Sequence, residues 1–236
     1  VDPNVISTGF ENDGQNSNGS EPGQVASLVS NNNFINFCLT VNKPLTNGQQ
    51  IKTGSCNPAP MGVIASSSNM PASKFVSPAN LDTIKANAQF TIKMALQNLE
   101  AGNFVNAQSN YYAAPQQVNA QGDIVGHTHF VIQAIDALAS TKVLDPQTFA
   151  FFKGVNTPAG QDGTVSVDVP KGLPAGTYRL ASINTAANHQ PCLVAIAQHG
   201  SLDDQVYVSL WLFFFPAPRV LTLTDPAAQS LVHRDR

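Results

Sequence analysis

Two of the five histidines stand two residues apart, in Gly126-His127-Thr128-His129. In an extended strand, residues i and i+2 project from the same face, so this spacing sets two imidazoles side by side. Neutral imidazole is a ligand for Zn or Cu. A third nitrogen would come from His189 or His199, which flank the apolar run Leu193–Gln198. His127, His129 and His189 are therefore taken as candidate metal ligands. The same residues also fit a plainer arrangement, with two histidines hydrogen-bonded at the edge of a sheet and His189 and His199 on surface loops. A second chemistry is suggested by Tyr111-Tyr112, which follow Asn103, Asn106, Gln108 and Asn110. Aromatic platforms beside amide groups make up the composition of a sugar-binding loop, so Asn110, Tyr111 and Tyr112 are candidate ligand-binding residues. The alternative is a surface loop whose tyrosines cap the fold.

Other reactive patterns are missing. No Gly-x-Ser-x-Gly elbow presents a nucleophilic serine. The acids are scattered, and no motif selects the spaced carboxylate pair that glycoside hydrolysis needs. Asp203-Asp204 with loop carbonyls would suit Ca²⁺ but equally suits the start of a strand. Cys192 sits in an apolar run and reads as a core residue. No catalytic residue is assigned, and the chain reads as a binding protein more than an enzyme.

The elements that must position these residues are strands. Ile124–Ile135 is the most strand-like run and carries the histidine pair. In Phe90–Gln97, Phe90, Ile92, Met94 and Leu96 alternate with Thr91, Lys93, Ala95 and Gln97, the period of a half-buried strand. Further strands are expected at Phe34–Val41, Gln49–Thr53, Phe149–Lys153, Thr164–Val169, Thr177–Asn184, Leu193–Gln198 and Val206–Phe215. Helical periodicity is nearly absent. About eight to ten short strands punctuated by turns imply an all-β, immunoglobulin-like β-sandwich with long loops. In Leu173-Pro174-Ala175-Gly176-Thr177-Tyr178, a Pro-x-Gly turn feeds a strand carrying an inward tyrosine, as in the late hairpin of such sandwiches. The expected organisation is a flexible arm over 1–30, a disulfide-stapled strand and loop segment over 31–72, the sandwich over 73–215 and a tail over 216–236.

Composition bounds the setting. Charged residues make up 11% of the chain, against about 25% in an average soluble protein. Asn, Gln, Ser and Thr supply the polarity instead, which suits a secreted surface. The net charge of −3 provides no electrostatic footprint for nucleic acid. The apolar run from Val206 to Phe215 is half the length of about 20 residues needed to span a bilayer as a helix, so no transmembrane segment is expected. Cys38 and Cys56 flank a turn-rich loop, and a bridge between them would contribute around 3 kcal/mol on a chain-entropy estimate. Two buried thiols are the other possibility. Asn18-Gly19-Ser20 is a glycosylation sequon, and the start at Val1 suggests a processed, extracellular chain.

Several stretches resemble a family of secreted basidiomycete fungal proteins. They are Asn33-Phe34-Ile35-Asn36-Phe37-Cys38, Gly48 through Pro58, Gly126-His127-Thr128-His129, Gly176 through Asn184 and Asn188-His189-Gln190-Pro191. Members of that family often carry a ribosomal small-subunit protein name. A ribosomal protein would be strongly basic, and this slightly acidic chain is not. The resemblance runs over about residues 25–210 and stops before Trp211. It implies secretion, and it brings no catalytic residue with it. The leading expectation is thus a secreted, non-catalytic sandwich associated with cell-wall polysaccharide. The alternatives are a histidine-based Zn or Cu protein, or a matrix protein without a specific ligand.

Overall fold

The computed structural model describes residues 2–15 and 25–212. The Asn18 sequon and the tail over 216–236 lie outside the described residues. Nine strands follow in chain order: β1 (Ala72–Ser77), β2 (Thr83–Lys85), β3 (Phe90–Gln97), β4 (Leu99–Glu100), β5 (Ile124–Ile135), β6 (Phe151–Val155), β7 (Thr164–Val169), β8 (Gly176–Ala186) and β9 (Gln205–Trp211). They form a three-stranded sheet, β1-β3-β7, and a six-stranded sheet ordered β2-β9-β8-β5-β4, with β6 also paired to β5. The fold is all-β, as the strand periods require.

The alternating patterns become the two faces of one core. Ile92, Met94 and Leu96 of β3 are buried, and so are Ile124, Phe130 and Ile132 of β5 and Leu180 of β8. Phe75 of β1 meets Phe130 edge-on, with ring centroids 5.4 Å apart, which joins the two sheets. Side chains of this size contribute roughly 1.5–3 kcal/mol each when fully buried. Tyr178 points inward from the first turn of β8, and its hydroxyl donates to the Pro174 carbonyl at 3.0 Å. That bond back across the turn is the tyrosine corner seen in immunoglobulin-like sandwiches.

β5 is the axis of the large sheet. It pairs along Gly126–Ile135 with β8, antiparallel, and on its other side with β6 over Thr128–Ile132 and with β4 at Ile124–Val125. Its even-numbered residues from Ile124 to Ile132 face the core. The odd-numbered set, His127 and His129 included, therefore projects from the outer face of the large sheet.

Three expected strands are absent. Phe34–Val41 instead holds a 3-10 turn at Phe37–Thr40. Asn33 and Phe34 adopt left-handed backbone (φ 54° and 56°), and the Ser30 hydroxyl accepts from the amides of Asn32 and Phe34. The aromatic side chains form a small cluster of Phe10, Phe34 and Phe37. Gln49–Thr53 is a turn. Leu193–Gln198 makes a single bridge, Ala65 to Val194. There the buried Gln116 side chain takes the place of a partner strand: its amide donates to the Val63 and Leu193 carbonyls and accepts from the Leu193 amide.

Cys38 and Cys56 form a disulfide across a separation of 18 residues. Beside it, Leu45 and Cys56 make a parallel bridge. The stapled segment then meets the Tyr-containing loop: the Tyr111 amide donates to the Gly48 carbonyl at 2.8 Å.

Candidate metal centre

The site is assembled from β5, the turn after β8 and the loop after β4. Gly126 is what lets these elements close. It pairs with Ala186, and a Cβ at position 126 would lie 2.0 Å from the Thr185 carbonyl oxygen. No side chain fits there, so the histidine strand lies close against β8. Beyond β8 the chain reverses: the His189 amide donates to the Ala186 carbonyl at 2.9 Å, and the Ala186 amide to that of Gln190 at 3.0 Å. His189 itself has φ +72°, an unusual conformation for a residue with a side chain. This reversal swings its imidazole back over β5.

The loop after β4 is tied to the same place. The Asn103 amide donates to the Gly126 carbonyl at 2.9 Å, and the Val105 amide to Ala187 at 3.0 Å. Its own carbonyls then face the imidazoles. His127 Nδ1 lies 3.1 Å from the Asn103 oxygen, and His189 Nε2 lies 3.1 Å from the Val105 oxygen. A carbonyl only accepts, so these contacts favour the tautomers in which both of these ring nitrogens carry the proton. The remaining nitrogens, His127 Nε2 and His189 Nδ1, face each other at 3.2 Å. In neutral rings both present lone pairs.

His129 completes the cluster. Its ring centroid is 4.8 Å from that of His127 and 5.9 Å from that of His189. One ligand nitrogen from each of the three lies within 4.8 Å of the others. Its ring rests against Phe152, with centroids 5.2 Å apart. The His127 and His189 imidazoles are thus oriented by backbone carbonyls, the outer-shell arrangement that fixes metal-binding histidines. Bonds of roughly 2.0–2.1 Å to both close nitrogens, with 3.2 Å between them, subtend about 100–106°, close to tetrahedral. Nitrogens up to 4.8 Å apart exceed the span of two such bonds, so gathering all three on one ion takes a side-chain movement on the order of 1 Å. His129, half-buried, is placed to make it.

Electrostatics disfavours a proton on His127 and on His129. Burial, followed by the neighbouring His129 and His189, pushes His127 down to about 4. Burial, followed by His189, likewise pushes His129 down to about 4. His127 is completely buried and Thr185, 3.3 Å from its Nδ1, nearly so. Any opening therefore lies on the side of His129 and His189.

The other expected site residues fall in two places. Tyr111 stacks on Tyr112 with centroids 4.1 Å apart, and also on His189 at 5.9 Å. Burial and the Tyr112 hydroxyl raise its phenol to about 12. The Asn110 carbonyl accepts from the Asn188 amide side chain at 2.9 Å, so Asn110 and Tyr111 brace the His189 turn. Tyr112 lines a separate groove. His199 is exposed, bonds its own neighbour Gly200 and stands outside the cluster. Asp204 binds Lys74 and the Phe75 amide and so ties the two sheets together, while Asp203 binds Ser182 and the Asn184 amide within the large sheet. Desolvation lifts the Cys192 thiol to about 12, which leaves it protonated and unreactive. Asn103 and Val105 escaped sequence reading because they act through carbonyls, which any residue supplies.

The chain is 41% identical over 205 residues to pathogenicity cluster 5 protein d of Colletotrichum graminicola (strain M1.001 / M2 / FGSC 10212). The alignment takes in 86% of this chain and 42% of that protein, so the chain spans less than half of its relative's length. Residues 73–210, from within β1 to within β9, match the model of the CLU5d N-terminal domain. The chain belongs to this fungal family, the CLU5d N-terminal domain family.

Proposed function

We propose that this domain binds a divalent transition metal, Zn or Cu, through His127, His129 and His189. The observation that carries the reading is the pair of facing nitrogens at 3.2 Å. Their opposite ring nitrogens face carbonyls, so in the tautomers that protonate those nitrogens two lone pairs are directed at one another, with the Thr185 hydroxyl 3.4 Å from His127 Nε2 as a further polar neighbour. A proton on His127 would relieve the opposition, but burial disfavours its imidazolium until about pH 4. A metal ion resolves it at ordinary pH and accepts both lone pairs at a favourable angle. Three protein nitrogens leave a coordination position for water or an exogenous ligand, the pattern of sites where a metal does more than hold a fold.

The disulfide and the charge-poor composition support a setting outside the reducing cytosol. A role at the fungal exterior also fits the relative's naming for a pathogenicity cluster. The test is titration of chelator-stripped protein with Zn²⁺ and, separately, Cu²⁺, followed by calorimetry and metal analysis. One equivalent of at least one metal should bind, and the His127→Ala/His129→Ala variant should lose it. Absence of stoichiometric binding to the parent would sink the proposal, as would equal binding by the variant.

A further inference from the structure

A second site lies one aromatic layer away from the histidines and uses none of them. A groove of about 360 Å³ runs between the disulfide-stapled segment and the Tyr-containing loop, lined among others by Leu45, Asn47, Asn57, Pro58, Ser109 and Tyr112. We propose that this groove binds a neutral saccharide, with Tyr112 as the stacking platform.

The chemistry of the lining selects the ligand. No lining residue is charged, so nothing there would offset the desolvation of an ionic ligand. The surface divides between apolar groups (the Tyr112 ring, Leu45, Pro58) and polar ones (the Asn47 and Asn57 amides, the Ser109 backbone and hydroxyl). Leu45 is 54% exposed, a large apolar side chain with no cover. A pyranose matches such a wall: its axial C–H bonds make an apolar face for the ring, and its equatorial hydroxyls make a polar edge for amides and carbonyls. One face of Tyr112 is already occupied by Tyr111, at 4.1 Å, so the rest of the ring is what the groove receives. An apolar ligand would instead call for the enclosed hydrophobic pocket typical of small-molecule sites.

The groove is also rigid before any ligand arrives, which lowers the ordering cost of binding. Tyr112 is held at φ +55°. Its amide donates to the Asn188 carbonyl at 3.0 Å, and its carbonyl accepts from the Asn57 side chain at 3.1 Å. On the opposite wall, Asn47 and Gly48 form a left-handed pair with φ 45° and 75°. A Cβ at Gly48 would lie 2.1 Å from the Ser109 carbonyl oxygen, so the walls touch backbone to backbone. The disulfide anchors the Leu45–Cys56 bridge at the base of that wall.

The inference is tested by calorimetry of the metal-free chain with chitohexaose, laminarihexaose and cellohexaose. At least one should bind. Tyr112→Ala should weaken that binding at least tenfold, and Tyr112→Phe should retain it. Asn47→Gly keeps the left-handed turn and removes only an exposed amide, so it tests the polar wall even if Tyr112→Ala unfolds; a threefold to tenfold loss is expected. The titration uses metal-free chain, so its outcome stands apart from that of the metal reading. Failure of all three oligosaccharides to bind overturns the proposal, and so does parental affinity in both Tyr112→Ala and Asn47→Gly.

Discussion

Replacing His189 by Asn isolates the metal from the fold. Asn tolerates the left-handed backbone that His189 occupies at φ +72°, so the turn after β8 is kept. The metal-free variant loses the hydrogen bond to the Val105 carbonyl, worth about 1 kcal/mol, and also loses the opposed lone pairs. Its apo Tm should therefore fall by no more than about 2–4 °C, the shift that about 1 kcal/mol produces in a domain of this size. Metal changes the comparison. At 100 times the parent Kd, binding stabilises the folded parent by about 2.7 kcal/mol, which raises Tm by about 5–11 °C. Losing a ligand costs at least the roughly 100-fold reached by outer-shell substitutions. At the same metal concentration the variant then gains only about 0.4 kcal/mol, or about 1 °C. Scanning calorimetry with and without Zn²⁺, repeated with Cu²⁺, gives both numbers. Equal metal-dependent shifts in parent and variant would refute the assignment of His189 as a ligand.

Three further outcomes follow from the same geometry. In metal-free protein, the His127 and His129 ring resonances should titrate near pH 4, and midpoints near the ordinary 6.5 would contradict their burial. Because these folded values lie below the unfolded one, their neutral state favours folding fully above about pH 6.5, and that contribution is lost as pH falls toward 4; urea melts across this range read the loss. Gly126→Ala places a Cβ against the Thr185 carbonyl, so it should destabilise by about 3 kcal/mol and disturb the adjacent His127, seen as reduced Tm together with weakened metal binding. Cys38→Ser/Cys56→Ser releases a constraint across 18 residues, with an expected loss of about 3 kcal/mol in denaturant melts; an unchanged midpoint would remove the staple from the account.

Several features were legible in the chain alone. The alternation in Phe90–Gln97 and the length of Ile124–Ile135 read directly as β3 and β5, because a strand's period of two is written in consecutive residues. Tyr178 at its Pro-x-Gly turn was readable for the same reason: its partner, Pro174, is four residues away. The apolar residues of Phe34–Val41 and Leu193–Gln198 misled, since propensity does not reveal whether a neighbouring edge exists. Left-handed Asn33 and Phe34 and the buried Gln116 amide decided those segments. For the site, sequence determined that His127 and His129 share a face. Which face it would be, and whether a third imidazole would arrive, depended on contacts between residues 62 positions apart. Gly126 admits β8 against β5, the reversal after Ala186 turns His189 inward, and the Asn103 and Val105 carbonyls set which nitrogens confront one another. Local order in a chain fixes periods and turns, whereas convergence of distant groups exists only once the sheets have paired.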